Sequence, residues 1–242
     1  MIVLSTDFGI EGPYIGQLKA VLYQQAPDCK VIDLFSDLPP YQPRASASLI
    51  SAYSVGFPTN TVFLCVTDPG VGMSDRRGIV VKSNERWFVG PDNGLFDLVL
   101  RDDPSSQQWT IIWQPEWLSH TFHGRDLFAP VAAELATGIF PDEKLRPLTK
   151  SHGRAINESD YSCVVYIDHF GNIMTGVRAG SLLKNATVTL AGQQIYYART
   201  YSEVEVGGIF WYKNANGLVE IALNCGAAAD VLQVTVGDKI SC

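Results

Sequence analysis

Polar and apolar residues in the first part of the chain follow the pattern of alternating strands and helices. Three short β-type runs set this pattern: Ile2 to Leu4, Lys30 to Phe35 and Val62 to Val66. The apolar residues of the third run are typical of a strand buried on both faces. Between the runs, apolar residues recur at helical spacing from Pro13 to Ala26 and from Arg44 to Val55. This order predicts an α/β domain with a doubly wound, mostly parallel sheet.

The same domain continues beyond the third strand. Further strands are predicted at Gly78 to Lys82, Arg86 to Val89 and Trp109 to Trp113, and short helices at Leu95 to Leu100 and between Pro130 and Gly138. Residues 151–160 are polar and lack periodicity, which is typical of a linker. We therefore assign residues 1–150 to the α/β domain and residues 151–160 to a linker.

The last part of the chain, residues 161–242, has a different character. Six short β-type runs are separated by turn residues: Ser162 to Ile167, Ala186 to Leu190, Gln194 to Tyr197, Ile209 to Tyr212, Val219 to Leu223 and Val231 to Val236. No stretch among them has a convincing helical pattern. These residues are therefore predicted to form a small all-β domain, a barrel or a sandwich.

Two of the predicted strands end in a carboxylate that is followed by glycine. Asp68 follows the third strand and precedes a Pro-Gly-Val-Gly turn and the pair Arg76 and Arg77, and Asp7 follows the first strand. Open α/β sheets bind ligands at the carboxyl ends of their strands, so both aspartates occupy positions of a binding site. The alternative is that each Asp only caps its own loop.

Other polar residues lie at the predicted ends of elements. His123 precedes the helix that contains Pro130 and has Arg125 and Asp126 beside it, which favours a functional histidine. Asp92 and Asn93 precede a helix and would serve equally well as its caps. The segment from Asp168 to Asn172 carries more polar groups than a strand end needs, whereas hairpin chemistry explains the Asn-rich turn from Tyr212 to Gly217 equally well.

Charge and cysteine content restrict the partners and the compartment. The formal net charge is −7 and the isoelectric point is about 5.0, which argues against nucleic acid or an anionic membrane as a partner. The five cysteines are scattered and form neither a disulfide framework nor a metal-binding spacing. No basic leader and no apolar run of membrane-spanning length is present in the sequence. A soluble protein of the reducing cytoplasm is expected.

Six ordered motifs resemble one protein family over nearly the whole chain. They are Ser-Thr-Asp7-Phe-Gly, Thr-Asp68-Pro-Gly-Val-Gly, Gly-Pro-Asp92-Asn93-Gly-Leu, Thr-Phe-His123-Gly-Arg-Asp-Leu-Phe-Ala-Pro, Ile-Asp168-His-Phe170-Gly-Asn172-Ile and Gly217-Leu-Val-Glu-Ile-Ala-Leu-Asn. The family is that of the S-adenosyl-L-methionine (SAM) hydroxide adenosyltransferases, formerly a domain of unknown function, whose relatives include fluorinase and chlorinase.

The resemblance implies a fold, an assembly and a reaction. It implies an N-terminal α/β domain, a C-terminal β-barrel and a homotrimer that binds SAM between the N-terminal domain of one subunit and the C-terminal domain of the next. Water or hydroxide would attack the ribose C5′ and release adenosine and methionine, with SAM as substrate and with no cofactor or metal. The expected catalytic residues are Asp68, Arg76 and His123, and Arg77 is the alternative arginine because the segment after Asp68 is one residue longer than usual.

The same resemblance, together with the polar positions above, gives a set of substrate-binding residues. Asp7 would bind the ribose hydroxyls, aromatic residues would flank the sugar or base, and Asp168 and Asn172 would hold the methionine end. The full set is Asp7, Phe8, Tyr41, Asp92, Asn93, Phe122, Asp168, Phe170, Asn172, Tyr212 and Asn216. Gly12 and Pro13 replace an acidic position of the family, and Glu11 is the candidate substitute.

Three other functions stay open on the sequence. The first is a SAM-dependent halogenase. The halogenating relatives that this chain resembles, however, have a tyrosine at the position that matches Asp68, and they carry an insertion that this chain lacks. The second is a metal-dependent hydrolase that uses Asp7, Asp68, Asp92, His123 and Asp126 as hard ligands. The third is a non-catalytic adenosine-binding module.

Overall fold

The computed structural model describes residues 1–73, 76–148, 159–183 and 186–242. Contacts divide the chain into two compact units. The first contains Met1–Pro43 and the described residues of Phe57–Glu158, and the second contains Arg44–Gly56 and the described residues of Ser159–Cys242. In the described part of the chain, no helix combines the length and the apolar character needed to cross a membrane. Most of the predicted linker lies outside the described residues.

A seven-stranded sheet forms the first unit. Its strands are β1 (Ile2–Thr6), β2 (Val31–Phe35), β3 (Val62–Val66), β4 (Gly78–Ser83), β5 (Arg86–Pro91), β6 (Gln107–Ile111) and β7 (Leu145–Pro147). The strand order is β2-β1-β3-β5-β4-β6-β7. Strands β2, β1, β3 and β5 are parallel to one another, whereas β4, β6 and β7 are added by antiparallel pairing. The sheet is therefore mixed but mostly parallel, as predicted.

Helices of the first unit pack on the central strands. They are α1 (Tyr14–Gln25), α3 (Asp97–Asp102) and α4 (Ala129–Ala136), and a π-helical turn at Gly124–Phe128 leads into α4. Every residue of β1 and β3 is buried, and Leu18 and Leu22 of α1 share a core with α4 and these strands. Each such leucine contributes about 1.5–3 kcal/mol to stability through burial. Helix layers on both faces, which a doubly wound sheet requires, stay a prediction.

The strand order creates a crevice next to β1. After β1 the chain forms β2 on one side of it and later β3 on the other side. Such a change of direction opens a crevice at the carboxyl ends of the two strands, where α/β sheets bind ligands. Asp7 follows β1 directly, and its N–H donates to the carbonyl of Val66 at 3.1 Å. Asp68 follows β3, so both predicted strand-end carboxylates lie at this crevice.

The second unit contains two antiparallel sheets. One has the order β12-β13-β9-β8 and the other the order β11-β10-β14. The strands are β8 (Tyr161–Ile167), β9 (Ile173–Arg178), β10 (Val188–Leu190), β11 (Gln193–Ile195), β12 (Ile209–Lys213), β13 (Leu218–Leu223) and β14 (Ile240–Ser241). The β-rich character is as predicted, and closure of these sheets into a barrel stays a prediction.

One expectation for the second unit is wrong, and one of its strands has no counterpart in the prediction. The run Val231 to Val236 is not a strand: helix α5 (Ala228–Leu232) covers its start and ends at Gln233, which has a left-handed φ of 53°. Leu232 and Val234 are nevertheless buried, because a short helix and the turn after it pack against the core. Strand β9 was not predicted at all.

Helix α2 (Pro43–Ser54) belongs by its contacts to the second unit, although it lies early in the chain. The Arg178 guanidinium donates to Ser51 Oγ at 2.9 Å, and the Tyr53 hydroxyl donates to Met174 Sδ at 3.2 Å. Gly176 gives Ser48 the space to approach, since a Cβ at that position would lie 2.9 Å from Ser48 Oγ. Residues 44–56 therefore pack with the later part of the chain, although they lie early in the sequence.

Candidate active site

Asp68 presents one paired and one unpaired carboxylate oxygen. Its side chain is only 3% exposed, and Oδ1 accepts the Gly70 N–H at 3.2 Å and lies 3.0 Å from Arg76 Nε. Oδ2 is also buried, and no group in the described part of the chain donates to it. A buried carboxylate oxygen without a donor is costly, by about 1–3 kcal/mol or more for a charged group. Oδ2 is therefore an acceptor that a bound molecule can satisfy.

Arg76 reaches Asp68 through space left by a glycine. A Cβ at Gly70 would lie 1.8 Å from Arg76 Nη2, and Arg76 Nε also donates to the Gly70 carbonyl at 3.4 Å. Arg77 instead pairs with Asp92, with 2.6 Å between Arg77 Nη2 and Asp92 Oδ2. Of the two candidate arginines, Arg76 is thus the one beside Asp68. Asp75, the residue that lengthens this segment, lies outside the described residues.

His123 stands immediately before the π-helical turn. The loop that leads to it is closed by Asp126, whose Oδ2 accepts the Ser119 N–H at 2.9 Å and whose carboxylate takes two bonds from Arg125, at 2.6 and 3.0 Å. Burial lowers the pKa of His123, and this effect outweighs the opposing influence of the Asp68 and Asp126 charges. At neutral pH the imidazole is therefore neutral and has a nitrogen that accepts a hydrogen bond.

A cavity of about 60 Å³ connects these groups. It is lined by Asp7, Phe8, Val66, Asp68, Val71, Thr121, Phe122, His123, Gly124 and Phe128. This volume has room for a few water molecules but not for a nucleoside. The cavity therefore has the size of a nucleophile site, and Asp68 and His123 both belong to its wall.

Asp7 lies at the edge of this cavity, at the carboxyl end of β1. Burial raises the pKa of Asp7, the backbone N–H of Tyr41 opposes this effect, and the nearby Asp68 charge adds to it. Tyr41 adopts a left-handed φ of 62° and is 77% exposed. A non-glycine residue held in this region at a ligand crevice is typical of functional positions.

Aromatic residues pack beside Asp7. The rings of Phe8, Tyr14 and Phe122 contact one another with centroid separations of 5.5–6.0 Å, and the Arg125 guanidinium lies 4.9 Å from the Phe122 centroid. Phe8 and Phe122 were predicted from sequence as site residues and both line the cavity, whereas Tyr14 was not predicted.

Two predicted binding residues of the first unit have partners within the protein. Asp92 pairs with Arg77, and Asn93 donates from Nδ2 to the Thr67 carbonyl at 2.8 Å and accepts the Leu95 N–H at 3.2 Å. These bonds tie the turn after β5 to the segment that carries Asp68. Neither residue is among those that line the small cavity.

A second cavity, of about 560 Å³, lies in the second unit. It is lined by Phe170, Asn172, Tyr201, Leu223, Cys225, Gly226 and Ala227. Only Phe170 and Asn172 were predicted from sequence. Gly171, with φ of 79°, allows its turn to approach Ala227 closely, since a Cβ at position 171 would lie 2.5 Å from the Ala227 Cβ. The volume lies in the range of small-molecule sites, and the lining is mostly apolar with few polar groups.

Asp168 organises the turn that precedes this cavity. Its Oδ1 accepts the N–H groups of Phe170 and Asn172, both at 2.9 Å, and its Oδ2 accepts Asn172 Nδ2 at 2.9 Å. The predicted residues Tyr212 and Asn216 are not among those that line the cavity. Tyr212 donates to Glu220, and the Asn216 N–H donates to Asn214 Oδ1 at 3.0 Å.

The hard-ligand cluster of the metal-dependent alternative is not assembled in the described part of the chain. Among the residues that the structure describes, no group of three or more His, Cys, Asp or Glu side chains is arranged to hold a metal ion. Asp92 and Asp126, two members of that set, are each paired with an arginine.

Comparison with known proteins gives consistent matches over both units. The family model of the SAM hydroxide adenosyltransferase N-terminal domain matches residues 2–145, and that of the C-terminal domain matches residues 162–241. The chain is 36% identical to an (R)-S-adenosyl-L-methionine hydrolase from Thermus thermophilus, with 96% of this chain and 95% of the relative covered. It is 24% identical to a fluorinase from Nocardia brasiliensis, with 99% and 95% covered.

A solved structure agrees with these matches. The crystal structure of an uncharacterized conserved protein from Thermotoga maritima superposes with a TM-score of 0.87 at 31% identity, and the alignment covers 99% of this chain and 98% of that one. Both domain models, in the expected order, together account for most of the chain. The chain therefore belongs to the SAM hydroxide adenosyltransferase family.

Proposed function

We propose that this protein is an adenosine-forming SAM hydrolase in which Asp68, Arg76 and His123 act on a water molecule. The observation that carries this proposal is the buried Oδ2 of Asp68, which accepts from no group in the described ranges, in a residue that lines a cavity of about 60 Å³ together with His123. A water molecule has two protons to donate, and these two groups supply two acceptors. The relatives named as hydrolases support the same reaction.

The chemistry requires little beyond positioning of the nucleophile. The leaving sulfur of SAM is a cation, so the bond from C5′ to sulfur breaks without an acid, and the sulfur leaves with the electron pair as methionine. The new bond forms from the water oxygen to C5′, and the water must lie opposite the sulfur. Alignment of weak nucleophiles of this kind is a large part of catalytic power.

The three residues then have different roles. Arg76 fixes the Oδ1 of Asp68, so Oδ2 orients the water. The neutral imidazole of His123 accepts the proton that the water loses when it bonds to C5′.

Substrate binding is assigned to the remaining predicted residues. Asp7 accepts hydrogen bonds from the ribose hydroxyls, with Tyr41, Phe8 and Phe122 as aromatic neighbours of the sugar. We place the adenine in the cavity of about 560 Å³, against Phe170; Asn172 lines the same cavity, so we assign it to the adenine as well and leave Asp168 for the methionine end. The bonds of Asp92, Asn93, Tyr212 and Asn216 within the protein support a positioning role for these four.

A stereochemical preference follows from the names of the related hydrolases. Several related hydrolases are named for the (R) form of SAM, in which the configuration at sulfur is inverted. We extend that preference to this chain. The two epimers exchange the methyl and aminocarboxypropyl groups around the sulfur, so a site that holds both the ribose and the methionine end distinguishes them.

We also propose that the enzyme is a cytoplasmic homotrimer with sites between subunits. The first unit holds a cavity too small for a nucleoside, and the polar motifs of the second unit surround a separate cavity. A complete site needs both parts, which supports contributions from two subunits. The five cysteines are all free thiols, in keeping with a reducing compartment.

One incubation tests the function. Purified protein is given each SAM epimer, and adenosine, methionine and any 5′-halogenated nucleoside are followed by chromatography, with and without added chloride or fluoride. We expect adenosine and methionine in equal amounts, faster from the (R) epimer, with no dependence on halide. A 5′-halo-5′-deoxyadenosine as main product would contradict the proposal. A halide beside the Asp68 charge would meet a repulsion of about 4 kcal/mol at 4 Å and an effective dielectric constant near 20.

A further inference from the structure

Glu220 is a carboxylate buried inside the β-sheet of the second unit. It lies on β13, the residue is 5% exposed, and it is the direct cross-strand partner of Tyr212 on β12. Its Oε1 accepts the Tyr212 hydroxyl, and its Oε2 accepts Asn214 Nδ2 at 2.9 Å. Burial of a charged carboxylate is unfavourable unless such donors satisfy it. The two neutral donors hold Glu220 in place, but the chemistry proposed above assigns no role to this buried carboxylate.

The direction of the hydrogen bonds is fixed at the carboxylate. The Tyr212 hydroxyl donates to Glu220 Oε1, and a tyrosine hydroxyl has a single proton, so that proton serves no other neighbour. Burial and this hydrogen bond raise the pKa of Tyr212, which keeps the hydroxyl protonated. The oxygen of Tyr212 can then accept from a neighbouring hydroxyl but cannot donate to it.

The neighbouring hydroxyl belongs to Tyr201, which lines the cavity of the second unit. It lies 3.4 Å from the Tyr212 hydroxyl and 3.3 Å from Asn172 Oδ1. Because Tyr212 cannot donate to it, the single proton of Tyr201 lies between two acceptors, Asn172 Oδ1 and the Tyr212 oxygen, in a three-centre hydrogen bond, and Tyr212 leaves the lone pairs of Tyr201 unfilled. The Tyr201 oxygen therefore stays an acceptor at the cavity edge.

The amide of Asn172 is oriented by the same chain of bonds. Its Oδ1 accepts from Tyr201, and its Nδ2 donates to Asp168 Oδ2 at 2.9 Å. A reversed amide would place donors against the Tyr201 hydroxyl and an oxygen against the Asp168 carboxylate. Tyr201 and Asn172, which both line the cavity, thus belong to one hydrogen-bond network that connects Glu220 with Asp168.

We propose that Glu220 is a positioning residue for ligand binding, which acts through Tyr212 to fix the Tyr201 hydroxyl and the Asn172 amide in the cavity wall. It thereby sets the affinity of the cavity for the adenosine part of the substrate, not the rate of the chemical step. The identity of the ligand rests on the proposed function. The chain of bonds from Glu220 to the cavity stands on the geometry of the second unit alone.

The test compares adenosine binding and turnover in Glu220→Gln. Glutamine keeps the shape but brings an N–H₂ group, which turns the Tyr212 proton toward Tyr201 when it faces Tyr212. We expect the Kd for adenosine, measured by calorimetry, and the KM for SAM to rise about tenfold, which corresponds to the loss of one hydrogen bond. The kcat at saturation stays within about twofold, because the residues assigned to the chemistry are in the first unit.

Further variants separate positioning from general destabilisation. Tyr212→Phe removes the same link, so the double variant with Glu220→Gln binds adenosine no more weakly than either single variant. The matched control is Asp103→Asn, which removes a buried carboxylate bonded to Ser83 and Ser105 in the first unit and leaves the Kd unchanged. If Glu220→Gln does not fold by circular dichroism, Tyr212→Phe and Tyr201→Phe decide the question by the same tenfold criterion.

Two results would overturn the inference. One is an unchanged Kd for adenosine in folded Glu220→Gln, or in both tyrosine variants. The other is a fall in kcat at constant KM, which would assign Glu220 to the chemical step. A wild-type protein that binds adenosine but does not hydrolyse SAM would instead contradict the proposed function, and the comparison of Kd values would still decide the role of Glu220.

Discussion

The two oxygens of Asp68 have different surroundings. Oδ1 is held by Arg76 and the Gly70 N–H, whereas Oδ2 is buried without a donor in the described part of the chain. Strand β3 explains this arrangement: its five buried residues fix the position of the strand end, and the turn after it folds back onto the carboxylate. Because the contacts of Oδ1 hold the Asp68 side chain in place, Oδ2 keeps a fixed position in which it can accept a hydrogen bond from a bound molecule.

Replacement of Asp68 by asparagine tests the orientation of the water. The asparagine side chain keeps the shape but has no charge and presents a donor on one side, so either Arg76 or the water loses its acceptor. We expect Asp68→Asn and His123→Ala each to reduce kcat by about 100-fold or more, since positioned acid–base groups contribute about 10²–10⁴-fold. Adenosine binding, measured by calorimetry, should change little in both. Hydrolysis within tenfold of the wild type would exclude Asp68 from the chemistry.

The pH dependence of hydrolysis follows from His123. Only the neutral imidazole accepts a proton, and burial lowers its pKa from the ordinary value near 6.5. Hydrolysis should therefore be constant through neutral pH and decline with acidification, with the midpoint below about 6.5. The measurement is kcat/KM against pH in buffers of constant ionic strength. Activity that increases with acidification would show that the protonated form is required.

At the scale of elements, the turn after β3 depends on the absence of a side chain at Gly70. Gly70 does not have a positive φ, so alanine fits its backbone, but the new Cβ would lie 1.8 Å from Arg76 Nη2. We expect Gly70→Ala to displace Arg76 and to lower kcat by about tenfold or more, with thermal unfolding nearly unchanged. Gly16→Ala is the matched control, because a Cβ there meets nothing within 4 Å. Equal activity in the two variants would show that Arg76 tolerates displacement.

Elements with an uninterrupted pattern could be predicted, and those shaped by their neighbours could not. Strands β1 and β3 are buried on both faces and therefore have apolar runs that are visible in the sequence. Strand β9 contains Thr175 and Gly176, which interrupt the apolar pattern. Both are buried, because the Thr175 hydroxyl donates to the Val219 carbonyl and Gly176 has no side chain to collide with the residues around it. In the run Val231 to Val236, apolar and polar residues alternate from Leu232 onward as they would in a strand, but the first two apolar residues belong to helix α5.

The site shows the same division. Asp7, Asp68 and His123 could be predicted because glycine-rich turns and strand ends mark them in the sequence, and the sheet order brings Asp7 and Asp68 together. Tyr201 and Cys225 line the larger cavity without any motif, since they lie in turns that only the folded second unit brings close to Phe170. Helix α2 could not be assigned from chain order, because its contacts are with residues more than 100 positions away.

At the scale of the whole molecule, the assembly is testable by mixing two inactive variants. One carries Asp68→Asn in the first unit, and the other carries Phe170→Ala and Asn172→Ala in the second unit. If each site combines the first unit of one subunit with the second unit of its neighbour, some sites in mixed trimers contain neither change. Random mixing in a cyclic trimer yields about one quarter of such sites.

Purification through both tags removes the unmixed trimers, and each mixed trimer has one such site in three. We therefore expect co-expressed, doubly tagged oligomers to recover about a third of the wild-type activity, far above either variant alone. Activity is measured at SAM concentrations below KM, so that weak binding by the second variant is not masked. A site contained within one subunit would always keep one of the two changes, and mixing would restore nothing. Light scattering on the same samples gives the number of subunits, and an active monomer would contradict the shared site directly.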